Sequence, residues 1–180
     1  PSIHRVAVFE PALLINGAAP TAFVKRYDEE IAEGKVAGAL VTAMKGSQMG
    51  PRVFNFMPRW LLERLTSRMM SREDKAAKQG DVTMRMLAPT LHFDFQLVAE
   101  SEGMLEKLRT LRQEVLLLGG SESPGYLRIA ADSLERVLPH VERIEFPGVG
   151  HGGSGNTDRG GKPEAVAEAL RRFYTRANPL

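Results

Sequence analysis

His151 is the residue of this sequence best placed to do chemistry. It lies in the run Phe146-Pro147-Gly148-Val149-Gly150-His151-Gly152-Gly153, on a glycine-rich loop that follows the predicted strand Val141 to Phe146. Imidazole takes up and returns a proton near pH 7, so a histidine held in the open on such a loop can act as a general base. Flanking glycines let the backbone turn sharply and present the ring. Catalytic groups of open α/β sheets gather where the strands end. Taken alone, a loop histidine is more often a surface residue. His4, His92 and His140 have no comparable setting. The 180 residues contain no cysteine, which excludes thiol catalysis, disulfides and cysteine-ligated metal within the chain.

The elements that must position His151 are legible as runs of residue type. Val6 to Phe9, Val115 to Leu118 and Val141 to Phe146 read alike as short strands, and each stops at Glu-Pro, Gly-Gly or Pro-Gly, as buried strands of a parallel sheet do. Between the second and third, Pro124 to Leu138 repeats Leu127, Ala130, Ala131, Leu134, Val137 and Leu138 at helical spacing. Pro163 to Arg176 does the same with Val166, Leu170, Phe173 and Tyr174, and proline suits a first helical turn. The last third therefore reads β-α-β-α, the order of a doubly wound sheet.

From about Ile15 to Ser101 the pattern is helical without a convincing strand. Phe23, Tyr27 and Ile31 mark one helix, Val36, Leu40 and Met44 a second, and Trp60, Leu61, Leu65 and Met69 a third. Most of the methionines fall here, and a methionine-rich layer can repack around apolar ligands, although filling of core gaps explains most of them. This stretch is too long for a plain crossover and reads as a cap, with Gly46, Gly50, Pro51 and Pro58 as joints.

Composition narrows the function classes. A hydrophobic share of 43% and a charged share of 26% are ordinary for a globular chain, and the net charge is only +2. Arg52, Arg59, Arg64, Arg68, Arg72, Lys75 and Lys78 gather in the middle, but Glu63, Glu73 and Asp74 interrupt them, which reads as a solvated helical face with no nucleic-acid partner expected. No apolar stretch approaches the roughly 18 residues of a membrane span. A cytoplasmic protein without membrane partners is the expectation.

The order of these runs makes the histidine more specific. Glu114 to Gly120, then Tyr126 to Pro139, then Arg143-Ile144-Glu145-Phe146-Pro147-Gly148-Val149-Gly150-His151 resembles the end of an α/β-hydrolase, and Val6 to Leu13 resembles the core strand and Glu-Pro step leading into the lid of lid-bearing members. The resemblance implies an α/β fold, the C-terminal part of an α/β-hydrolase sheet with an inserted helical lid. It divides the chain into a core strand at 1–14, a lid at 15–101 and the rest of the core at 102–180. His151 would be the catalytic histidine.

The other members of a triad are harder to place. The family carries its nucleophile on a Gly-x-Ser-x-Gly elbow, which this sequence lacks. Ser121, in Gly119-Gly120-Ser121-Glu122-Ser123, has the wrong place in the order and reads as a turn residue. The nucleophile and half the sheet are thus expected on a preceding segment, in the N-terminal half of the same hydrolase as a second polypeptide, without which this chain should be poorly stable. Many relatives carry the acid in a Gly-x-x-Asp-Pro turn, but here that turn is Gly120-Ser121-Glu122-Ser123-Pro124, with Ser123 at the acid position. Glu10, at the end of the first strand, is the favoured replacement. Glu122 is the second choice, and Asp94, more simply a lid hydrogen-bonding group, the third.

These readings imply hydrolysis of an ester or similarly activated carbonyl in a small apolar-to-amphipathic substrate, with no cofactor and no metal. Relatives with an aspartate nucleophile open epoxides or displace halide. A protein that keeps the fold only to bind a small ligand is the other class of reading, motivated by Ser123.

Overall fold

The computed structural model describes residues 3–17, 20–50, 52–157 and 160–176; the expected joint at Pro51 lies outside them. The chain divides into two compact units, Pro1–Ala19 with Ser101–Leu180, and Pro20–Glu100.

The first unit is an α/β layer structure. Strands β1 (Arg5–Phe9), β2 (Glu114–Gly120) and β3 (Val141–Phe146) form one parallel sheet in that order. Val6 pairs with Val115 and Val115 with Val141, while Phe9 pairs with Leu118 and Leu118 with Ile144. Alternation along a strand sends neighbours to opposite faces, so the continuous leucines of β2 serve both. Leu116 and Leu118 pack with Val166, Ala169 and Phe173 of α7 (Pro163–Thr175). Val115 and Leu117 pack on the other face with Leu134 of α6 (Gly125–Val137) and with Leu138. Helices thus cover β2 on both sides, and Leu116 and Leu117 are essentially inaccessible. Burial of this kind contributes about 25 cal/mol per Å² of apolar surface. The flanking strand β1 is only partly buried along its whole length.

One strand boundary differs from expectation. Gly119 and Gly120 do not stop β2 but remain in the ladder, opposite Glu145 and Phe146. A Cβ at Gly120 would lie 2.0 Å from the Val149 carbonyl oxygen, so glycine is required there by a close backbone approach.

The second unit is helical: α1 (Val24–Ala32), α2 (Val36–Gly46), α3 (Arg59–Ala76), α4 (Met84–Leu87) and α5 (Leu91–Glu100). Its core joins Tyr27 with Ala39 and Ala43, against Phe23, Ile31, Leu91 and Phe95. Phe95 meets Phe23 and Tyr27 edge-on, at centroid distances of 4.9 and 5.2 Å, and the Tyr27 hydroxyl donates to the Ala88 carbonyl. Gly46 is less a joint than a contact, since a Cβ there would lie 2.2 Å from the Phe23 ring. Glu30 binds three helices together. It accepts from Arg26 on its own helix at 2.9 Å, from Thr42 of α2 at 2.6 Å and from Arg59 of α3 at 2.6 Å. Burial alone would raise the Glu30 pKa, but these donors outweigh it and hold the carboxyl below its ordinary range. Among the described residues, no helix is long and apolar enough to cross a membrane.

Candidate functional site

The candidate site lies at the carboxyl ends of the three strands, all within the first unit. β1 ends at Phe9, and the amide of Glu10 makes one more ladder bond, to the Leu118 carbonyl at 2.8 Å. Glu10 then turns out of the sheet with φ of 46°, a left-handed conformation that costs a non-glycine residue on the order of 1–3 kcal/mol. That turn brings its side chain across the end of β2. There Oε1 accepts from the Gly120 amide at 2.7 Å and from the Ser123 hydroxyl. Gly119 leaves room for it, since a Cβ at that position would lie 3.2 Å from Glu10 Cγ.

The loop after β3 is fastened to the same place. Ser121 and Glu122 donate their amides to the carbonyls of Phe146 and Val149 at 3.1 and 2.9 Å, and the Gly148 amide donates to Ser121 Oγ at 2.9 Å. Val149 is buried beneath, and a Cβ at Gly153 would lie 2.1 Å from its Cγ1, so the loop can close only over glycine. His151 opens the short 3-10 turn His151–Ser154, and its Nδ1 stands 2.7 Å from Glu10 Oε2. The Glu10 side chain is 4% exposed and that of His151 40%. The acid is enclosed and the ring is half open.

This arrangement determines the tautomer. Burial would raise the Glu10 pKa, but the hydrogen bonds from His151, Ser123 and Gly120, with the charge interaction with His151, hold it below the ordinary carboxylate value. Glu10 is therefore ionised near neutral pH and can only accept. Nδ1 must then carry the proton of the neutral ring, and Nε2 keeps its lone pair. Tyr126, on the first turn of α6, is buried beside this group. Burial first, and then the Glu10 charge, push its hydroxyl up to about 12, so it stays a neutral phenol.

The other candidates are elsewhere. Glu122 is exposed and contributes its backbone amide, while its side chain has no hydrogen bond among the described residues. Ser121 holds the loop through its hydroxyl. Asp94 is exposed on α5, in the helical unit. Nothing in the sequence singles out Tyr126, and Ser123 is conspicuous there only for not being an acid. Among the described residues no three His, Asp or Glu side chains converge to hold a metal ion. A concavity of about 600 Å³ in the first unit, lined by Leu14, Leu105, Arg109, Arg136 and Val137 among others, includes neither Glu10 nor His151.

The chain matches no protein-family model and no curated protein. Among solved structures it is similar to an α/β hydrolase from Sphaerobacter thermophilus DSM 20745, with a TM-score of 0.63 and 20% identity over 96% of this chain and 59% of that one. It is also similar to MGS-M2, an α/β hydrolase enzyme from a Medee basin deep-sea metagenome library, with a TM-score of 0.59 and 14% identity over 98% of this chain and 57% of that one. The chain thus spans less than two thirds of the length of either neighbour. With three parallel strands, helices on both faces and a helical unit inserted between β1 and β2, the chain has part of the α/β-hydrolase fold, as the order of its motifs predicts.

Proposed function

We propose that this chain supplies the histidine and the acid of an α/β-hydrolase acting on an ester or similar acyl compound, with the nucleophile outside these 180 residues. The observation that carries the reading is the Glu10–His151 pair at 2.7 Å. A nucleophile hydroxyl meeting Nε2 would pass its proton to the ring as its oxygen attacks the carbonyl carbon. The imidazolium so formed lies against an enclosed carboxylate and is stabilised by it, then returns the proton to the leaving oxygen. Water, deprotonated by the same nitrogen, releases the acid and restores the nucleophile. The fit of this chain to part of two longer hydrolases supports a preceding half that completes the sheet beyond β1 and provides the nucleophile. The inserted helical unit is the natural lid, and a small apolar-to-amphipathic substrate suits its composition.

Ser123 supports this reading over simple ligand binding. A serine in place of the expected acid suggests a lost triad, but here it donates to Glu10, the residue that meets the histidine. The test uses the complete polypeptide containing this chain and a fluorophosphonate, which labels an activated serine. Stoichiometric labelling that is lost in His151→Ala is the expected result. No labelling, with turnover of an alkyl halide or epoxide, would replace the acyl chemistry by the aspartate-nucleophile kind.

A further inference from the structure

The basic run in the middle of the sequence has a different character once folded. The three acids that interrupt it are all engaged: Glu63 pairs with Arg59 at 2.6 Å, Glu73 accepts the Met84 amide at 2.9 Å, and Asp74 pairs with Arg85 at 2.9 Å. At about 3.6 residues per turn, these acids fall on the side of α3 that also carries the buried Leu62 and Met70. The opposite half of the circumference carries Arg64, Arg68, Arg72 and Lys75, all exposed, and among the described residues none of them has an acidic partner. Trp60, 64% exposed, and Leu65, 39%, lie on the same arc; Met69, 57% exposed, stands at its edge beside Leu62, and Phe56, just before the helix, is 88% exposed. Large apolar groups left in water over more than two turns of a helix, beside cations with no counter-charge, call for an occupant that is apolar and anionic at once.

We propose that the exposed face of α3 docks on an anionic lipid surface. Tryptophan and phenylalanine settle at the boundary between head groups and acyl chains, while arginine and lysine extend their alkyl stems over the apolar layer and reach lipid phosphates. Charge complementarity favours acidic over zwitterionic lipid. The interleaved Leu65, with Met69 at the edge of the arc, favours a bilayer over nucleic acid, whose phosphate backbone offers them no apolar partner. The inference rests on this face staying open in the complete polypeptide, and it is tested separately from the proposed hydrolysis because binding is measured without turnover.

The test is flotation of the complete polypeptide containing this chain with vesicles of phosphatidylcholine alone or with added phosphatidylserine, read alongside the emission of Trp60, the only tryptophan of these 180 residues, taken as the difference from a Trp60→Phe variant. Binding to the acidic vesicles, a blue shift of Trp60 and weakening by salt are expected. Each cation near such a surface contributes about a fivefold factor in affinity, so Arg64→Gln/Arg68→Gln/Arg72→Gln should weaken binding by roughly 100-fold. The control Arg112→Gln/Arg128→Gln/Arg171→Gln makes the same change in net charge at three exposed positions off this helix and should bind as the parent does. Circular dichroism establishes that both variants are folded. The inference is overturned by absence of binding to acidic vesicles, by equal weakening in both variants, by unchanged Trp60 emission on binding, or by a DNA duplex that binds more tightly than the vesicles.

Discussion

Replacing Glu10 by glutamine keeps the shape of the side chain and changes which proton the histidine holds. The carboxylate accepts three hydrogen bonds, from Gly120, Ser123 and His151. A glutamine oxygen in the place of Oε1 can still accept the first two. Its NH2 group then faces Nδ1 and can only donate, so Nδ1 must become the acceptor and the proton moves to Nε2. The proposed base is thus disabled in its ground state without being displaced. In the complete protein, turnover should fall by up to about 10⁴-fold, the scale seen when a triad acid is neutralised. Bonds to a charged acceptor are worth about 1.5–3 kcal/mol and neutral ones about 0.5–1.5, but the buried charge also has a desolvation cost, so the net loss of stability should be roughly 1–3 kcal/mol at neutral pH. Because the folded pKa of Glu10 lies below the unfolded value, its contribution is complete above the ordinary carboxylate range. It fades as pH falls through the folded value, and the two proteins should converge in acid. Nitrogen-15 NMR of the imidazole, with denaturation midpoints over a pH series, measures both effects. Retention of the Nδ1–H tautomer in Glu10→Gln, or a larger loss of turnover in Glu122→Gln, would refute the assignment.

Gly120→Ala must push the new methyl into the Val149 carbonyl, so it should cost roughly 1–3 kcal/mol and perturb the His151 ring resonances as well as the denaturation midpoint. Phe173→Ala removes a side chain that is 2% exposed against Leu116 and Leu118, and chemical denaturation should show a loss of about 3–5 kcal/mol. Glu30→Ala leaves Arg26, Thr42 and Arg59 without their shared acceptor. It should lower stability by about 1–3 kcal/mol, with the loss shrinking below the ordinary carboxylate range because the Glu30 pKa is depressed in the fold.

Strand β2 was legible because a parallel strand buried on both faces has little choice but to be continuously apolar, as Val115 to Leu118 are, whereas β3 mixes Glu142, Arg143 and Glu145 with its apolar residues and was read from its place before the Pro-Gly turn. Helices α6 and α7 were legible because each presents one clean apolar stripe, such as Val166, Ala169 and Phe173. Helix α5 was not, since Phe93 and Leu97 are exposed while Leu91 and Phe95 join the core, so apolar residues occur all round it and no period emerges. The glycines after Leu118 resembled a stop signal, and only the approach of Val149, far along the chain, shows them to be part of the ladder. Glu10 could be nominated from its place at a strand end. Its hydrogen bond with Ser123 spans 113 residues and leaves no local trace.

That bond also bears on how an acid can change address within one fold. Glu10 and Ser123 come from different strand ends and meet each other, with Glu10 touching His151. Ser123 holds the position at which the family resemblance places the acid, so an acid at either position is expected to reach the ring. A lineage exchanging the two positions has two orders of substitution open to it. Losing the first acid before gaining the second passes through an ancestor with no acid, whose imidazole is unanchored. Gaining the second first passes through an ancestor with two carboxylates around one ring, which can remain functional by sharing a proton, as closely paired acids do. Selection should favour the second order, and Ser123→Asp in the present protein recreates its intermediate.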